Sequence, residues 1–526
     1  MFPIPASGAP GGSSPIDCCA NNTSIAFRGS ALQESARDAN AGETMRQAIV
    51  QSIVANNSSL ITNLLTVIIA SHFLLPEEAG AYTVCLSLIT VISTIAEFNI
   101  TNYGINATAV NDGELSSMLG LSLTIAICTV APLYLLSVPI SNLLGGPRTL
   151  NIYTIMIPSM LFSPFAVPKL ALLRRNIQYG LIMNASLAAS GVRALAGVLL
   201  LALGWGPESL AISYTLSKFL EAAIVIIFAS GPTFIVPTIR GWGRIFGFSL
   251  LNTVSQAAGT IGFSIAEIAT GHFLGLHYAG LYNRGSTLTS VYRTGVERSI
   301  YPIAFAALSR ESQRPGGNVV RSYVTSIAMM TGVGWPAFAG LFILAPQIVS
   351  ILFGAGWTEA ADVTKILSVA TAIYIFSSLS PTVLMATGNS QSLLKRELVV
   401  QGLRVVVVLF GTRFGIHGVA AAVLLTYAFA AALDFLFLKM MVGLTLRDLW
   451  EGSKNSLVVA GCVSICAVGM EQICGLLGAP SLVTCCAVAA AGAAAWLASV
   501  LLSGHILREE IIRVQQRLWR RRERES

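Results

Sequence analysis

Apolar residues run along this chain in fourteen blocks of about 20, separated by short breaks rich in Gly, Pro and polar residues. Roughly 20 helical residues at ~1.5 Å each cross the ~30 Å hydrocarbon layer. The pattern predicts membrane helices near 46–74, 79–98, 115–138, 149–168, 177–203, 208–229, 246–273, 280–306, 323–345, 359–385, 396–413, 417–438, 455–474 and 481–503. The first and seventh blocks are unusually polar, with Asn56, Asn57, Ser58 and Ser59 in one and Asn252, Ser255 and Gln256 in the other. Helices of that kind face protein or water rather than lipid. Pro158, Pro164 and Pro168 interrupt the fourth block and mark it as kinked.

Composition removes the soluble alternative. The 526 residues are 54% hydrophobic and 11% charged, against roughly 25% charged in soluble domains. Most of the nine cysteines, among them Cys85, Cys128, Cys462, Cys466, Cys485 and Cys486, fall inside apolar blocks, where Cys behaves as a small hydrophobe. Residues 1–44 hold no apolar run and lack the plan of a signal peptide, so a disordered segment is expected there, with Met45 a candidate start.

Lys and Arg alternate between the breaks. One set holds Lys169, Arg174 and Arg175; Arg240 and Arg244; Arg310, Arg314 and Arg321; Lys395 and Arg396; then Lys439, Arg447 and Lys454. The other holds little beyond Arg148 and Arg413, while the tail adds Arg508, Arg513, Arg517, Arg520, Arg521, Arg522 and Arg524. The positive-inside rule then puts both termini in the cytoplasm and requires an even number of crossings, which fourteen satisfies. Internal duplication is also visible. His72-Phe73-Leu74 with Ala79-Gly80-x-Tyr82 follows the first block, and His272-Phe273-Leu274 with Ala279-Gly280-x-Tyr282 follows the seventh. Pro139 to Gly145 and Pro346 to Gly354 match at a nearby offset. Two six-helix halves of like orientation follow, a parallel repeat about the membrane normal.

The run from Ile69 to Tyr82, with Pro76, Glu77, Gly80 and Tyr82 at its heart, resembles the hairpin that opens Wzx-type polysaccharide flippases. Gly271-His272-Phe273-Leu274-Gly275 followed by Ala279-Gly280-Leu281-Tyr282-Asn283-Arg284 is similar to a second signature of that family, as are Leu173-Arg174-Arg175, Pro302 and Ser309-Arg310. The chain departs from the pattern at His272, where a basic residue is usual, and at Glu267, a displaced acidic position. The resemblance covers about 46–440 and points to the multidrug/oligosaccharidyl-lipid/polysaccharide exporter superfamily.

It implies an all-α polytopic membrane protein of about fourteen transmembrane helices, two six-helix lobes plus two C-terminal helices. The expected organisation is a disordered segment 1–44, an N-terminal lobe 45–236, a C-terminal lobe 237–440, helices thirteen and fourteen in 441–506, and a basic cytoplasmic tail 507–526. The implied activity is flipping of polyprenyl-pyrophosphate-linked oligosaccharide repeat units across the bacterial cytoplasmic membrane, for exopolysaccharide or O-antigen synthesis. Alternating access of the lobes around a cationic cavity would drive it.

Such cargo demands cations at membrane depth, since its pyrophosphate cannot enter hydrocarbon unaided. A charge at the bilayer centre costs ~2.5–3.5 kcal/mol, so these residues should face a cavity or a partner. Arg193, Lys218, Arg284, Arg293, Arg298 and Arg404 are the candidate substrate-binding residues, and Arg suits phosphate through its two-pronged fork. Arg193 and Arg404 lead because no acid stands within one helical turn. Arg293 with Glu297 and Lys218 with Glu221 also have the spacing of structural pairs. Arg284 and Lys365 have the position of residues that snorkel to the outer interface. Glu267 is the candidate coupling-ion site, for a proton or sodium gradient, and no other cofactor, metal or catalytic residue is expected.

Lipid-linked oligosaccharide and membrane lipids are the expected partners, a polysaccharide polymerase and co-polymerase are candidates, and a monomer without nucleic acid is expected. Competing readings are a flippase for a lipid-linked peptidoglycan precursor, a drug or metabolite exporter of the same superfamily, and a membrane-embedded glycosyltransferase or polymerase. The scarcity of acids disfavours cationic drugs. Absence of a Gly-x4-Gly-Lys-Ser/Thr loop removes an ATPase, and the short breaks leave no room for a catalytic domain.

Overall fold

Polar caps set the helix starts, and several stand ahead of the apolar blocks. The Asn111 side chain accepts from Glu114 N at 2.9 Å and Asn318 from Arg321 N at 2.8 Å, while Thr445 and Asp448 bond reciprocally in a capping box. Pro76 opens its helix and the Glu78 carboxylate reaches back to Leu75 N at 3.0 Å. In this computed structural model residues 58–107, 111–232, 235–509, 512 and 516 are described. The segment 1–44, Met45, Asn56, Asn57 and nearly all of the basic tail lie outside them.

The described chain is helical throughout, without a strand among the described residues. We number α1 Ser58–Phe73, α2 Pro76–Ala96, α3 Ile100–Asn106, α4 Asp112–Leu135, α5 Ser137–Leu144, α6 Pro147–Met156, α7 Ser159–Arg175, α8 Tyr179–Ala202 and α9 Glu208–Phe228. Then come α10 Trp242–Phe273, α11 Leu276–Tyr292, α12 Arg298–Gln313, α13 Val319–Phe353, α14 Ala360–Ser378, α15 Ser380–Ala386, α16 Ser390–Gly411, α17 Gly415–Val442, α18 Leu446–Leu476 and α19 Ser481–Leu502. Ten helical stretches among the described residues are long and apolar enough to cross a membrane. One of them, Gln391–Val442, has 52 residues, far beyond one crossing. It folds back near Thr412–Phe414, so that α16 packs against α17. The protein is a multi-pass membrane protein.

Where the helices depart from the apolar blocks, backbone chemistry explains it. The fourth block becomes two helices, α6 and α7, parted at Ile157 and Pro158. The eighth becomes α11 and α12 joined by a π turn, Arg293–Glu297, a local widening common at functional sites. Lys169 and Arg396, assigned above to cytoplasmic breaks, instead stand inside helices and are buried. The Lys169 ammonium donates to the Ile226 and Ala229 carbonyls at 2.7 and 3.3 Å, satisfying the end of α9. The Arg396 guanidinium forks onto Asp434 of α17 at 2.9 and 2.8 Å and also meets Glu397. Ser377 donates to the same Asp434 carboxylate. Charge counting cannot distinguish a loop cation from one buried against a partner distant in sequence.

One group of helices packs α2 on α6, α6 and α7 on α9, and α8 on α9. A second packs α10 on α16, α11 and α13 on α14, and α14 on α17. The two groups meet where α2 crosses α10 and α11. A Cβ built on Gly80 would lie 1.8 Å from the Leu276 carbonyl oxygen, and one built on Gly280 2.0 Å from that of Pro76. The contact is reciprocal: the duplicated Ala-Gly-x-Tyr segments lie against each other, backbone on backbone. Arg284 Nε donates to Ser71 Oγ at 2.7 Å and Trp357 Nε1 to the Ser71 carbonyl at 3.0 Å, while His272 meets the Leu143 carbonyl at 2.6 Å. These contacts close one end of the molecule. The pair α18 and α19 docks on α13, where Thr331, Ser456 and His505 form a buried polar chain with both links 2.9 Å long. Leu195, Ile227, Val406, Leu425, Ile465 and Leu502 stay exposed, as a lipid-facing surface requires.

Candidate functional site

Three cavities hold four of the six candidate cations. The first, about 220 Å³, lies within the second helix group and is lined by Phe263 and Glu267 of α10, Asn283 and Ser286 of α11, Tyr374 of α14, Arg404 of α16 and Tyr427 of α17, with Arg293 beside them. Arg404 is 4% exposed, with its guanidinium between the Phe263 ring at 4.8 Å and the Tyr427 ring at 4.5 Å. Arg293 lies over Phe263 at 4.4 Å. Among the described residues neither guanidinium has a hydrogen bond or an ion pair. Aromatic faces hold them through cation–π attraction, worth up to ~2 kcal/mol when desolvated. Their N–H donors are thereby left for something in the cavity.

Glu267 is the acid of this cavity. Its carboxylate accepts from Ser87 of α2 and from Asn283 Nδ2 at 3.1 Å, so it joins the two helix groups. The π turn begins at Arg293 and ends at Glu297. Glu297 accepts from Tyr301, with the Tyr374 hydroxyl at 3.5 Å.

A second cavity, about 350 Å³, lies between the groups and is lined by Ser59, Asn63 and Thr66 of α1, Ser186, Ser190 and Arg193 of α8, and Ser290 and Thr294. Arg193 donates to the Tyr82 hydroxyl at 2.9 Å and lies 5.4 Å from the Tyr214 ring centre. Ser290 also lines the first cavity, so the two are neighbours. The third cavity, about 430 Å³, belongs to the first group and includes Glu97, Tyr214, Lys218 and Glu221. Lys218 pairs with Glu221 at 3.0 Å, the structural pair its spacing allowed.

The structure therefore brings together Arg293, Arg404 and Glu267, sets Arg193 in the adjoining cavity, and leaves Lys218 paired in another. Arg284 lies apart from all three. It is 3% exposed, bonded to Ser71 and to Asn283 Oδ1 at 2.9 Å, and stacked over Trp357 at 4.6 Å. Lys365 pairs with Asp362 at 3.1 Å. Arg298 opens α12, and its side chain lies outside those described. Sequence reasoning missed Phe263, Tyr374 and Tyr427, since an aromatic residue in an apolar block carries no signal of the cation it will hold. It also missed Asp434, which turns Arg396 into a structural residue.

The comparisons with known proteins agree with this architecture. Residues 69–362 match a family described as "Polysaccharide biosynthesis protein". The succinoglycan biosynthesis transport protein ExoT of Rhizobium meliloti (strain 1021) is 23% identical over 63% of this chain and 67% of its own length. The lipopolysaccharide biosynthesis protein WzxC of Escherichia coli (strain K12) is 21% identical over 56% of this chain and 60% of its own. Among solved structures, the lipid II flippase MurJ in an inward closed conformation superposes with a TM-score of 0.69 at 15% identity, covering 89% of this chain and 99% of that one. That likeness fixes the fold. With more than half of its length matched, and with the helix-lined cavities that such a fold provides, the chain belongs to the polysaccharide biosynthesis protein family.

Proposed function

We propose that this protein flips polyprenyl-pyrophosphate-linked oligosaccharide repeat units across the bacterial cytoplasmic membrane, for exopolysaccharide or O-antigen synthesis. The observation that carries the reading is the pair Arg293 and Arg404, two guanidinium groups lining a cavity without a protein hydrogen bond or ion pair among the described residues. A cavity that presents donors and positive charge selects an anion with several acceptor oxygens, and a pyrophosphate is such a group. The names of the relatives, a succinoglycan transport protein and a lipopolysaccharide biosynthesis protein, support the same class of cargo.

In this reading the chain crosses fourteen times. Residues 45–236 and 237–440 form two lobes, 441–506 an appended pair, and both termini are cytoplasmic. Arg193, Arg293 and Arg404 bind the phosphate end, and Glu267 couples transport to a proton or sodium gradient. Arg284 ties α11 to α1 through Ser71, and Lys218 stays paired with Glu221 within α9. The end sealed by Gly80 and Gly280 is the outer one, and the lobes rock about it. The protein performs no covalent chemistry; membrane lipids surround it, and a polymerase receives the unit on the far side.

Deletion of the gene tests the reading. Lipid-linked repeat units should accumulate on the cytoplasmic leaflet, and unchanged polymer output would refute it. A flippase for a peptidoglycan precursor is the competing reading, favoured only by the likeness in fold to MurJ. Loss of cell-wall synthesis with polymer export intact would favour it instead.

A further inference from the structure

The largest of the three cavities, about 430 Å³, has a chemistry opposite to that of the arginine cavity. Its walls carry Thr94 of α2, Asn102 of α3, Ser163 of α7 and Gln256 of α10, groups that both donate and accept. Glu97 faces it too, and among the described residues Glu97, Ser163 and Gln256 have no side-chain hydrogen bond. Charges cancel here: Glu97 and Glu221 stand against Lys218 and Arg174, and Lys218 is already held by Glu221 at 3.0 Å. The arginine cavity sets two cations against one acid.

Size separates them as well. The arginine cavity, about 220 Å³, falls below the ~300–1,000 Å³ of small-molecule sites, whereas the neutral one falls inside that range. Shared residues link the two. Tyr214 lines the neutral cavity and carries Arg193 over its ring, Arg193 lines the middle cavity, and Ser290 is shared by the middle and arginine cavities. A molecule with its anionic end at Arg404 and its other end in the neutral cavity would span these residues.

We propose that the neutral cavity is a subsite for the uncharged, hydroxyl-rich sugars of the cargo, with Glu97 setting its preference against acidic sugars. The proposal rests on the flippase reading. Sugar hydroxyls donate and accept in equal measure, as these walls do, and a carboxylate accepts two hydrogen bonds from a vicinal diol. A uronate brought to the same place would meet the Glu97 carboxylate with like charge, with Lys218 and Glu221 cancelling each other and Arg174 the one cation left. Tyr214 adds an aromatic face for the apolar side of a sugar ring.

The test uses the full chain in lipid nanodiscs, with maltotriose and trigalacturonate as probes and saturation-transfer NMR as the readout. Maltotriose should bind, and binding should fall about tenfold or more, ~1.4 kcal/mol, in Ser163→Phe and in Thr94→Phe, which fill the cavity from two different helices. Trigalacturonate should bind the unaltered protein about tenfold more weakly than maltotriose, and Glu97→Gln should narrow that gap. Inorganic pyrophosphate should lose affinity in Arg404→Ala while maltotriose keeps its own. Equal binding of the two sugars, or maltotriose binding that survives both filling variants, overturns the proposal. Accumulation of lipid-linked units in the deletion strain judges the flippase reading separately, so either can fall while the other stands.

Discussion

Replacing Gly280 by alanine puts a methyl group where the Pro76 carbonyl oxygen already stands 2.0 Å away, and Gly80→Ala does the same 1.8 Å from the Leu276 oxygen. Both obstacles are backbone atoms at helix starts, so no side chain can swing aside. To regain the 3.4 Å onset of ordinary contact at Gly80, α2 and α11 must part by about 1.6 Å. Overpacking of that kind costs about 1–3 kcal/mol. Set against an equilibrium between closed and open forms of that end of the molecule, that is a shift of roughly 5- to 150-fold towards the open form. Spin labels at the exposed positions Leu75 and Tyr278 would report it by pulsed electron resonance, with the exposed Cys128, Cys462, Cys466 and Cys486 replaced by serine. Each glycine variant should add a longer-distance population and lower export. Gly340→Ala, where a Cβ meets nothing within 4 Å, should leave the distances unchanged. Unaltered distances and export in both Gly80→Ala and Gly280→Ala would refute the claim that this contact closes that end.

Other predictions concern the charged groups. Arg404→Ala should weaken pyrophosphate binding by about 10- to 150-fold, since hydrogen bonds to charged groups are worth ~1.5–3 kcal/mol; calorimetry on the protein in nanodiscs measures it, and Arg404→Lys should recover only part because the fork is lost. Asp434→Asn leaves Glu397 as the remaining acid on the buried Arg396 and should cost about 1.5–3 kcal/mol of stability, read as a lower thermal unfolding temperature, with Arg396→Met/Asp434→Leu recovering much of the loss. Glu267→Gln should leave binding in place and remove the dependence of export on the ion gradient, measured by collapsing the gradient with an ionophore. Arg284→Met should lower thermal stability through loss of its bond to Ser71, about 1.5–3 kcal/mol, while pyrophosphate affinity stays as it was.

What the sequence determined by itself is the class of molecule. Apolar blocks of membrane length, almost without charge, leave helices as the economical way to satisfy the backbone in lipid. That argument needs no tertiary contact, and it predicted α8, α9 and α19 to within a few residues. The duplicated Ala-Gly-x-Tyr segments were legible too, although nothing in the order of residues says that Gly80 and Gly280 receive each other's helices.

Only the fold decided which cations are available to a ligand. Arg284, Arg396 and Arg404 look alike in sequence, each a guanidinium in or beside an apolar block. Asp434, 38 residues from Arg396 along the chain, neutralises one; Ser71, 213 residues away, holds another; Phe263 and Tyr427 leave the third facing a cavity. The worth of a buried charge depends on its partners, and these partners come from other helices. Local sequence sets where a helix begins and how apolar it is, whereas the cavity and its free donors exist only after the helices have packed.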